Sequence, residues 1–359
     1  MSSLPIEHFT RQDLLDYPGK RPEGNYFTDG EYVFDLPDSV DEAMTEVDSY
    51  LLSKNLPLLK DRIPVIAYGA NANPSAMVDK MLKYITPEST IELDTLKTIP
   101  MFKATVQDSA AVWHGRPGQS GGIFAELYQG EEVKGEAIDS YVQMLTEEQL
   151  ALLHTTEGAT YAVSVVHDVE VGDHVISAIA YTAGESSILI DENKSPILVK
   201  GANRESEKQA LTASEALTYI HDNEEVQRAV GQTSVAESIV FVKPLPLAER
   251  KARQNVIADI LDHSGARKVF RHPASDTDMM GRTNFVSMPK GIEHQAVDHT
   301  AIELLETSVD RLRDADDKLI KVIRRQATTS LEDPHRERAL REHTARQQAH
   351  DAIISKENI

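Results

Sequence analysis

Apolar residues recur at intervals of three and four along several segments, which is the spacing of one face of a helix. The first segment begins after Ser39, which fits a capping box with Glu42. The second follows Asn73, a predicted N-cap with Pro74 at the first helical position, and should run from about 74 to 85. We expect these two helices to bury Val40, Met44, Val47 and Leu51, and Met77, Met81, Leu82 and Ile85.

Two further helices are predicted in the middle of the chain. Thr146 and Gln149 fit a second capping box, at the start of a helix that should end between His154 and Gly158. Residues 206–221 show the helical spacing again.

Short apolar runs between these segments predict strands. They are PVIAY, FKATVQDSAAVW, GIFAELY, VKGEAIDSY, YAVSVVHDVEV and HVISAIAYTA. Residues 11–37 are rich in proline, glycine and aspartate, and predict an irregular wrapping segment. Because strands and helices mix without a regular βαβ repeat, the predicted fold class is α+β, a compact mixed sheet or barrel with packed helices.

The pattern changes after about residue 226, so we divide the chain into an N-terminal extension (1–60), a central domain (61–225), a mixed extension (226–299) and a charged helical tail (300–359). In the tail, apolar residues from Ile302 to Ile323 follow a heptad spacing, interrupted by Asp316. This predicts a helix over about 300–325. The helix either packs on its own protein, the commoner case for so short a run, or joins copies of the chain in a homo-oligomer.

Composition narrows the classes of function. The 359 residues include no cysteine, which excludes thiol nucleophiles, disulfides and cysteine-bound metals. The formal net charge of −21 opposes nucleic-acid binding. No apolar run approaches the roughly 20 residues of a membrane helix, and the N-terminus lacks a secretory pattern, so we expect a cytoplasmic protein without membrane contact.

Two features are candidates for chemistry. Tyr68-Gly69-Ala70-Asn71 follows a buried strand and precedes a helix, where successive backbone N–H groups suit a carboxylate or an oxyanion. Taken alone, such a loop is more often an ordinary turn. Glu157 precedes Gly158 at a helix end, where it is either a surface carboxylate or a buried acid and base with a raised pKa.

Taken together, in this order and about 90 residues apart, these features resemble the gamma-glutamylcyclotransferase-like family. That family carries a Tyr-Gly-Ser-Asn loop after its first strand and a Glu-Gly pair after a helix, followed by a tyrosine. The segments Trp113-His114-Gly115, GIFAELYQGEEVKGEAID, Ala180-Tyr181 and Lys200-Gly201-Ala202 are similar too. The resemblance covers roughly residues 61–225, which it identifies as a catalytic domain of this fold type with a C-terminal helical extension.

The resemblance implies roles for single residues. The backbone of Tyr68, Gly69, Ala70 and Asn71 would bind the glutamyl group, although alanine stands at 70 where the family has serine. Glu157 would be the general acid and base. Tyr161 would line the pocket. His114, next to the only tryptophan, is a further candidate lining residue, with a structural histidine as the favoured alternative.

The implied reaction cyclises a gamma-glutamyl amine or amide to 5-oxoproline and releases the amine. It needs no metal and no cofactor, since the substrate's own α-amine is the nucleophile. The glycine-rich stretch 115–122 lacks a nucleotide-binding pattern, and His154 with Glu157 lacks a further metal ligand. Two alternatives remain: another amide or acyl transfer, or a deprotection, in the same pocket; and a non-catalytic binding or scaffold protein that uses its helical tail.

Overall fold

The computed structural model of the protein describes residues 2–11, 14–83, 92–118, 121–157, 161–183, 185–231 and 245–271. Within these ranges a few side chains, including those of Glu157 and Tyr161, lie outside the described set. The predicted 300–325 helix and the tail to residue 359 lie outside the described residues altogether.

The strands are β1 (Ser3–Pro5), β2 (Tyr26–Thr28), β3 (Tyr32–Asp35), β4 (Ile63–Ala67), β5 (Ile99–Gln107), β6 (Ala110–Trp113), β7 (Ala125–Tyr128), β8 (Ala137–Leu145), β9 (Tyr161–Val171), β10 (His174–Ala183), β11 (Glu185–Leu189), β12 (Leu198–Val199), β13 (Ala210–Leu211) and β14 (Arg267–Arg271). The α-helices are α1 (Val40–Ser53), α2 (Pro74–Leu82), α3 (Leu93–Lys97), α4 (Glu147–Glu157), α5 (Ala213–His221), α6 (Glu224–Val230) and α7 (Leu247–Ser264). Short 3-10 turns lie at Ile6–Phe9, Leu14–Asp16, Leu59–Asp61, Ala70–Ala72 and Glu131–Val133.

Five strands close into a barrel, so the fold is α+β as predicted. Strands β5, β8, β4 and β10 are neighbours in that order, and β9 pairs with both β10 and β5. The same sheet extends outward on one side through β2, β3 and β1, and on the other through β7, β6, β12 and β13. The predicted N-terminal extension, 1–60, therefore adds three strands to the central sheet.

Strand direction decides which loops meet at each end of the barrel. β4 and β10 run parallel, with Val65 opposite Ile179. β9 runs antiparallel to β10, with Tyr161 opposite Ala183. The end of β4, the end of β10 and the start of β9 therefore lie at the same end of the barrel. The turn after β4 therefore lies at the same end of the barrel as Tyr161, the first residue of β9.

The main core lies between the barrel wall and α1. Ala43, Val47 and Leu51 of α1 belong to the same buried cluster as Ile66 and Val142. A β-strand alternates its side chains between two faces, and the alternate residues Val65 and Met101 are also fully buried. Both faces of these central strands are thus covered over most of their length, which explains why most of their residues are apolar.

A buried arginine fastens α4 to the barrel. The guanidinium of Arg62 donates to the carbonyl oxygens of Pro57, Thr98 and Met144, and to Gln149 Oε1 at 3.2 Å. Gln149 in turn accepts from the Thr146 N–H, and its amide donates to three carbonyl oxygens near the start of β5. Because Gln149 lies in the first turn of α4, this network fixes where the helix begins. It also fixes the direction of the helix, which ends at Glu157.

Most predicted helix starts are confirmed. Ser39 accepts from the Glu42 N–H, Asn73 from the Ala76 N–H, and the Thr146–Gln149 box is formed. Five of the six predicted strands are also found, but FKATVQDSAAVW, predicted as one strand, is divided at Asp108 into β5 and β6.

Four other details were wrong. Met44 is exposed and Ala43 is buried in its place, because α1 turns its small residue toward the sheet. Leu82 is only partly buried. Tyr26–Thr28 and Tyr32–Asp35 form strands inside the segment predicted to be irregular. The helix predicted over 206–221 begins only at Ala213, since Ala210–Leu211 pairs with β12 and Thr212 caps the helix. Ile85 lies outside the described residues.

Candidate functional site

The turn after β4 is short and ordered by its own hydrogen bonds. Tyr68 is buried, and its hydroxyl donates to the carbonyl oxygen of Tyr181 on β10 at 2.5 Å. The N–H groups of Ala72 and Asn73 donate back to the carbonyl oxygens of Gly69 and Ala70, at 3.0 Å each. The chain therefore makes a single 3-10 turn before α2 begins.

The N-terminus of α2 is occupied by a side chain of the protein itself. Asn73 is fully buried, and its Oδ1 accepts from the Ala76 N–H at 2.8 Å. Its amide nitrogen donates to the carbonyl oxygens of Phe9 and Lys20. Asn73 thus caps the helix and fastens the start of the chain to it, so the helix end itself is closed to a ligand.

Two backbone donors of the turn have no acceptor within the described ranges. No hydrogen bond is found there from the N–H of Gly69 or of Ala70. Gly69 is buried and Ala70 is partly exposed. Buried N–H groups are nearly always paired with an acceptor. The Gly69 and Ala70 N–H groups are therefore donors of the predicted Tyr68–Asn71 loop that have no acceptor among the described residues.

Tyr17 lies directly over Gly69. Its hydroxyl oxygen accepts a hydrogen bond from the Ala125 N–H at 3.1 Å, and its ring packs against Trp113 with centroids 5.7 Å apart. A methyl group built on Gly69 would overlap this hydroxyl oxygen and would lie 3.4 Å from the ring carbon that bears it. The glycine is required by this close approach, and its φ of −122° would suit any residue.

Gly69→Ala should lower the free energy of unfolding by about 1–3 kcal/mol, because the added methyl group overlaps Tyr17. Most of that loss should be recovered in Gly69→Ala/Tyr17→Phe, which removes the overlapping oxygen. Chemical denaturation of the single and double variants measures the coupling. Gly24→Ala is the matched control, since its added methyl group would lie 3.7 Å from the nearest atom, Asp38 Oδ1, and little change is expected. Additive effects in the double variant would contradict the contact.

A positive charge lies beside the turn. Lys80 Nζ on α2 donates to Asn71 Oδ1 at 2.6 Å. Asn71, a predicted binding residue, therefore uses its side-chain oxygen to hold an ammonium group at the loop. In a chain with a formal net charge of −21, this local charge favours an anionic ligand.

The predicted general acid and base, Glu157, lies at the end of α4. Glu157 is the last residue of that helix, and its side chain lies outside the described set. Tyr161 begins β9, and its side chain lies outside the set as well. On the backbone, Tyr161 is opposite Ala183, two residues beyond Tyr181, whose carbonyl oxygen holds Tyr68. The strand directions thus bring the Tyr68–Asn71 loop and Tyr161, the first residue of β9, to one end of the barrel.

His114 does not join this group. Trp113 packs in the main core against Tyr17, and the next side chain points to the other face of the β6–β7 hairpin. There the His114 ring contacts the Glu126 carboxylate through Nδ1 and stacks on Phe124 with centroids 4.3 Å apart. Both His114 and Glu126 are buried. This geometry fits a structural histidine, the alternative favoured above.

Sequence reasoning missed Tyr17, Glu126 and the Arg62 network. Glu126 carried a usable signal, because a carboxylate within the apolar run GIFAELY is costly unless it is paired. Tyr17 carried none beyond its place in an aromatic-rich wrapping segment.

Across the described ranges, no three His, Asp or Glu side chains are grouped so that they could hold a metal ion. No helix in those ranges is long and apolar enough to cross a membrane. Comparison of the sequence with protein-family models and with curated proteins gave no match to either.

Proposed function

We propose that the protein is a gamma-glutamylcyclotransferase-like enzyme, which converts a gamma-glutamyl amine or amide to 5-oxoproline and releases the amine. The observation that carries this proposal is that the Tyr68–Asn71 loop lies at the same barrel end as the start of β9, the strand that follows Glu157 in the sequence. The N–H groups of Gly69 and Ala70, which have no acceptor among the described residues, are suited to bind an oxygen atom of the substrate. The resemblance of the central domain to that family supplies the reaction.

The proposed chemistry balances without a further reactant. The α-ammonium of the glutamyl group loses a proton to the Glu157 carboxylate. The free amine attacks the γ-carbonyl carbon, which lies a five-membered ring away, so that a new C–N bond forms. The intermediate collapses by breaking the bond to the leaving nitrogen, which takes the proton back from Glu157. The ring nitrogen then gives its second proton to the same carboxylate, which passes it to the released amine. The products are 5-oxoproline and the protonated amine.

The fold holds the turn after β4 and the start of α4 in fixed positions. A folded substrate needs two fixed regions, one for its carboxylate end and one for the proton shuttle. The Asn73 cap and Tyr68 hydroxyl fix the turn, and the Arg62–Gln149 network fixes the start of α4. Effective molarity of this kind replaces an enzyme nucleophile, which suits a chain without cysteine.

A panel of gamma-glutamyl amides tests the proposal. The full-length protein should release 5-oxoproline and amine in equal amounts, measured by mass spectrometry. The matched α-glutamyl amides should be inert. Their amine is attached to the α-carboxyl group, so attack of the α-amine on the γ-carbon would not expel it. Failure on a broad panel would remove the enzyme assignment and favour the scaffold alternative.

The same assay separates cyclisation from a deprotection by hydrolysis. In water enriched in ¹⁸O, cyclisation leaves both products unlabelled, whereas hydrolysis gives glutamate that carries the label. A labelled glutamate product would replace the cyclisation by the second candidate, a deprotection by hydrolysis in the same pocket.

A further inference from the structure

His221 is a buried titratable group that the proposed reaction does not use. It is the last residue of α5, and its side chain is 4% exposed. Its ring nitrogen Nδ1 is buried and has no hydrogen-bond partner among the described residues. A buried imidazole that lacks acceptors favours its neutral form, because both ring nitrogens of an imidazolium are donors and burial removes their water.

The place of His221 in the fold is a junction of three helices. Ile220, the preceding residue of α5, belongs to the same buried cluster as Val230 of α6 and Ile257 of α7. Arg253 of α7 donates to the carbonyl oxygen of Val230, at the end of α6, at 3.1 Å. Helices α5, α6 and α7 therefore form a packed three-helix unit, with His221 in its interior.

Burial and a neighbouring charge both oppose protonation of His221. Burial lowers the pKa of His221 below its ordinary value of 6.5, the Arg253 guanidinium acts in the same direction, and the Asp222 carboxylate acts against both. Asp222 is exposed, so water weakens its attraction. A proton on His221 would thus be a second positive charge inside the three-helix unit, beside Arg253.

The other charged groups of the packed elements lie on the outside. On α7, every charged side chain except Arg250 and Arg253 is exposed. Asp16, in the 3-10 turn that packs against α5, is exposed as well. The charged residues of α6 are also exposed, and they are Glu224, Glu225 and Arg228. No buried carboxylate on these elements is therefore placed to balance an imidazolium.

The three-helix unit packs against the segment that covers the turn after β4. α5 contacts the 3-10 turn Leu14–Asp16, which begins the N-terminal strap, residues 14–22, and directly precedes Tyr17. α7 contacts the loop after β6, since Gln254 is buried and its amide donates to the carbonyl oxygen of Pro117 at 2.8 Å. Release of the helices would therefore remove support from the strap.

We propose that protonation of His221 releases α7 from α5 and α6, so that the three-helix unit is a pH-sensitive latch on the N-terminal strap. Above about pH 6.5, His221 is neutral whether the unit is packed or released, and the latch is closed. As pH falls below this value, the released form takes up the proton first, because water reaches its imidazole. The ratio of released to packed protein then rises by up to about tenfold per pH unit, until pH reaches the lowered pKa of the packed form.

Hydrogen exchange of the full-length protein between about pH 5 and pH 8 tests the inference, which does not depend on the proposed reaction. Rates are expressed as protection factors, which remove the intrinsic effect of pH on exchange. We expect protection of the α7 backbone N–H groups to fall by up to about tenfold per pH unit below about pH 6.5, while protection in β4 and β8 stays constant. In His221→Gln, whose side chain stays neutral, the fall should disappear.

His263→Gln is the matched control, because His263 lies in the exposed last turn of α7 and its substitution should leave the pH dependence unchanged. Constant α7 protection in the unmodified protein, or an equal fall in His221→Gln, would overturn the inference. A parallel fall in β4 and β8 would overturn it too, since it would indicate unfolding of the whole domain instead of release of α7.

NMR titration of the unmodified protein covers the case in which His221→Gln does not fold. The ring resonances of His221 should titrate with a midpoint below about pH 6.5, the ordinary value for histidine. A midpoint at or above that value would show that the packed form accepts the proton, and would overturn the inference.

Discussion

Glu157→Gln should reduce turnover of gamma-glutamyl amides by about 10²- to 10⁴-fold, the usual contribution of a general acid and base. Glutamine keeps the size and hydrogen-bonding capacity of the side chain but cannot accept the ammonium proton. Because the substituted group acts on the reacting atoms, kcat should fall while KM changes little. The rate of 5-oxoproline release, measured under saturating substrate, gives the result.

Glu148→Gln provides the control on the same helix. Glu148 is exposed in the first turn of α4, so its substitution should leave kcat within about twofold. Retention of more than a tenth of the activity in Glu157→Gln would assign the proton transfer to another residue. Equal losses in the two variants would point to a general effect of charge on α4.

Arg62→Met should lower the free energy of unfolding by about 2–4 kcal/mol. The methionine fills similar space but leaves several buried acceptors with fewer donors, and each buried unpaired group costs about 1–3 kcal/mol. Burial lowers the pKa of Arg62 to about 10, while Asp48 and Glu148 act in the opposite direction. The side chain therefore remains charged at neutral pH, and its hydrogen bonds are charge-assisted.

Arg204→Met is the matched comparison, measured by the same denaturant titration. Arg204 pairs with Asp139 at 3.0 Å, but both side chains are about half exposed, and such pairs contribute about 0–1 kcal/mol. Equal losses in the two variants would show that the buried network is not a main support of the fold. At temperatures where Arg62→Met stays folded, kcat should also fall, because the start of α4 loses one of its fixed points.

The parts of the fold that the sequence predicted are those with local signals. A helix start is indicated by Ser39, Asn73 and Thr146. Each side chain accepts a hydrogen bond from the backbone N–H three residues later in the sequence. Short apolar runs such as PVIAY indicate strands, and their mixing with helices without a βαβ repeat led to the prediction of a mixed sheet or barrel. The sequence did not predict the short paired strands β12 and β13, because two-residue strands carry no periodicity. The pattern at Ala210–Leu211 fits a helix equally well.

Only the parts of the candidate site that are formed by short stretches of sequence were predictable. The Tyr68–Asn71 loop and the α4 end at Glu157 are short, continuous patterns. The cover over Gly69 comes from Tyr17, which has a local sequence typical of a turn and is fixed by a strand far along the chain. Likewise, the alternation along β6 that turns His114 away from the loop depends on which face Trp113 occupies, and neighbouring residues do not determine that.

The hydrogen bond that holds Tyr17 spans 108 residues of chain. During synthesis, the strap emerges long before Ala125 of β7, which fixes the phenol over Gly69. β10, whose Tyr181 carbonyl holds Tyr68, emerges later still, at a separation of 113 residues. The two contacts that shape the binding turn thus form only after most of the barrel has been made. A nascent chain therefore lacks the complete turn until β10, the last barrel strand in the sequence, pairs with β4.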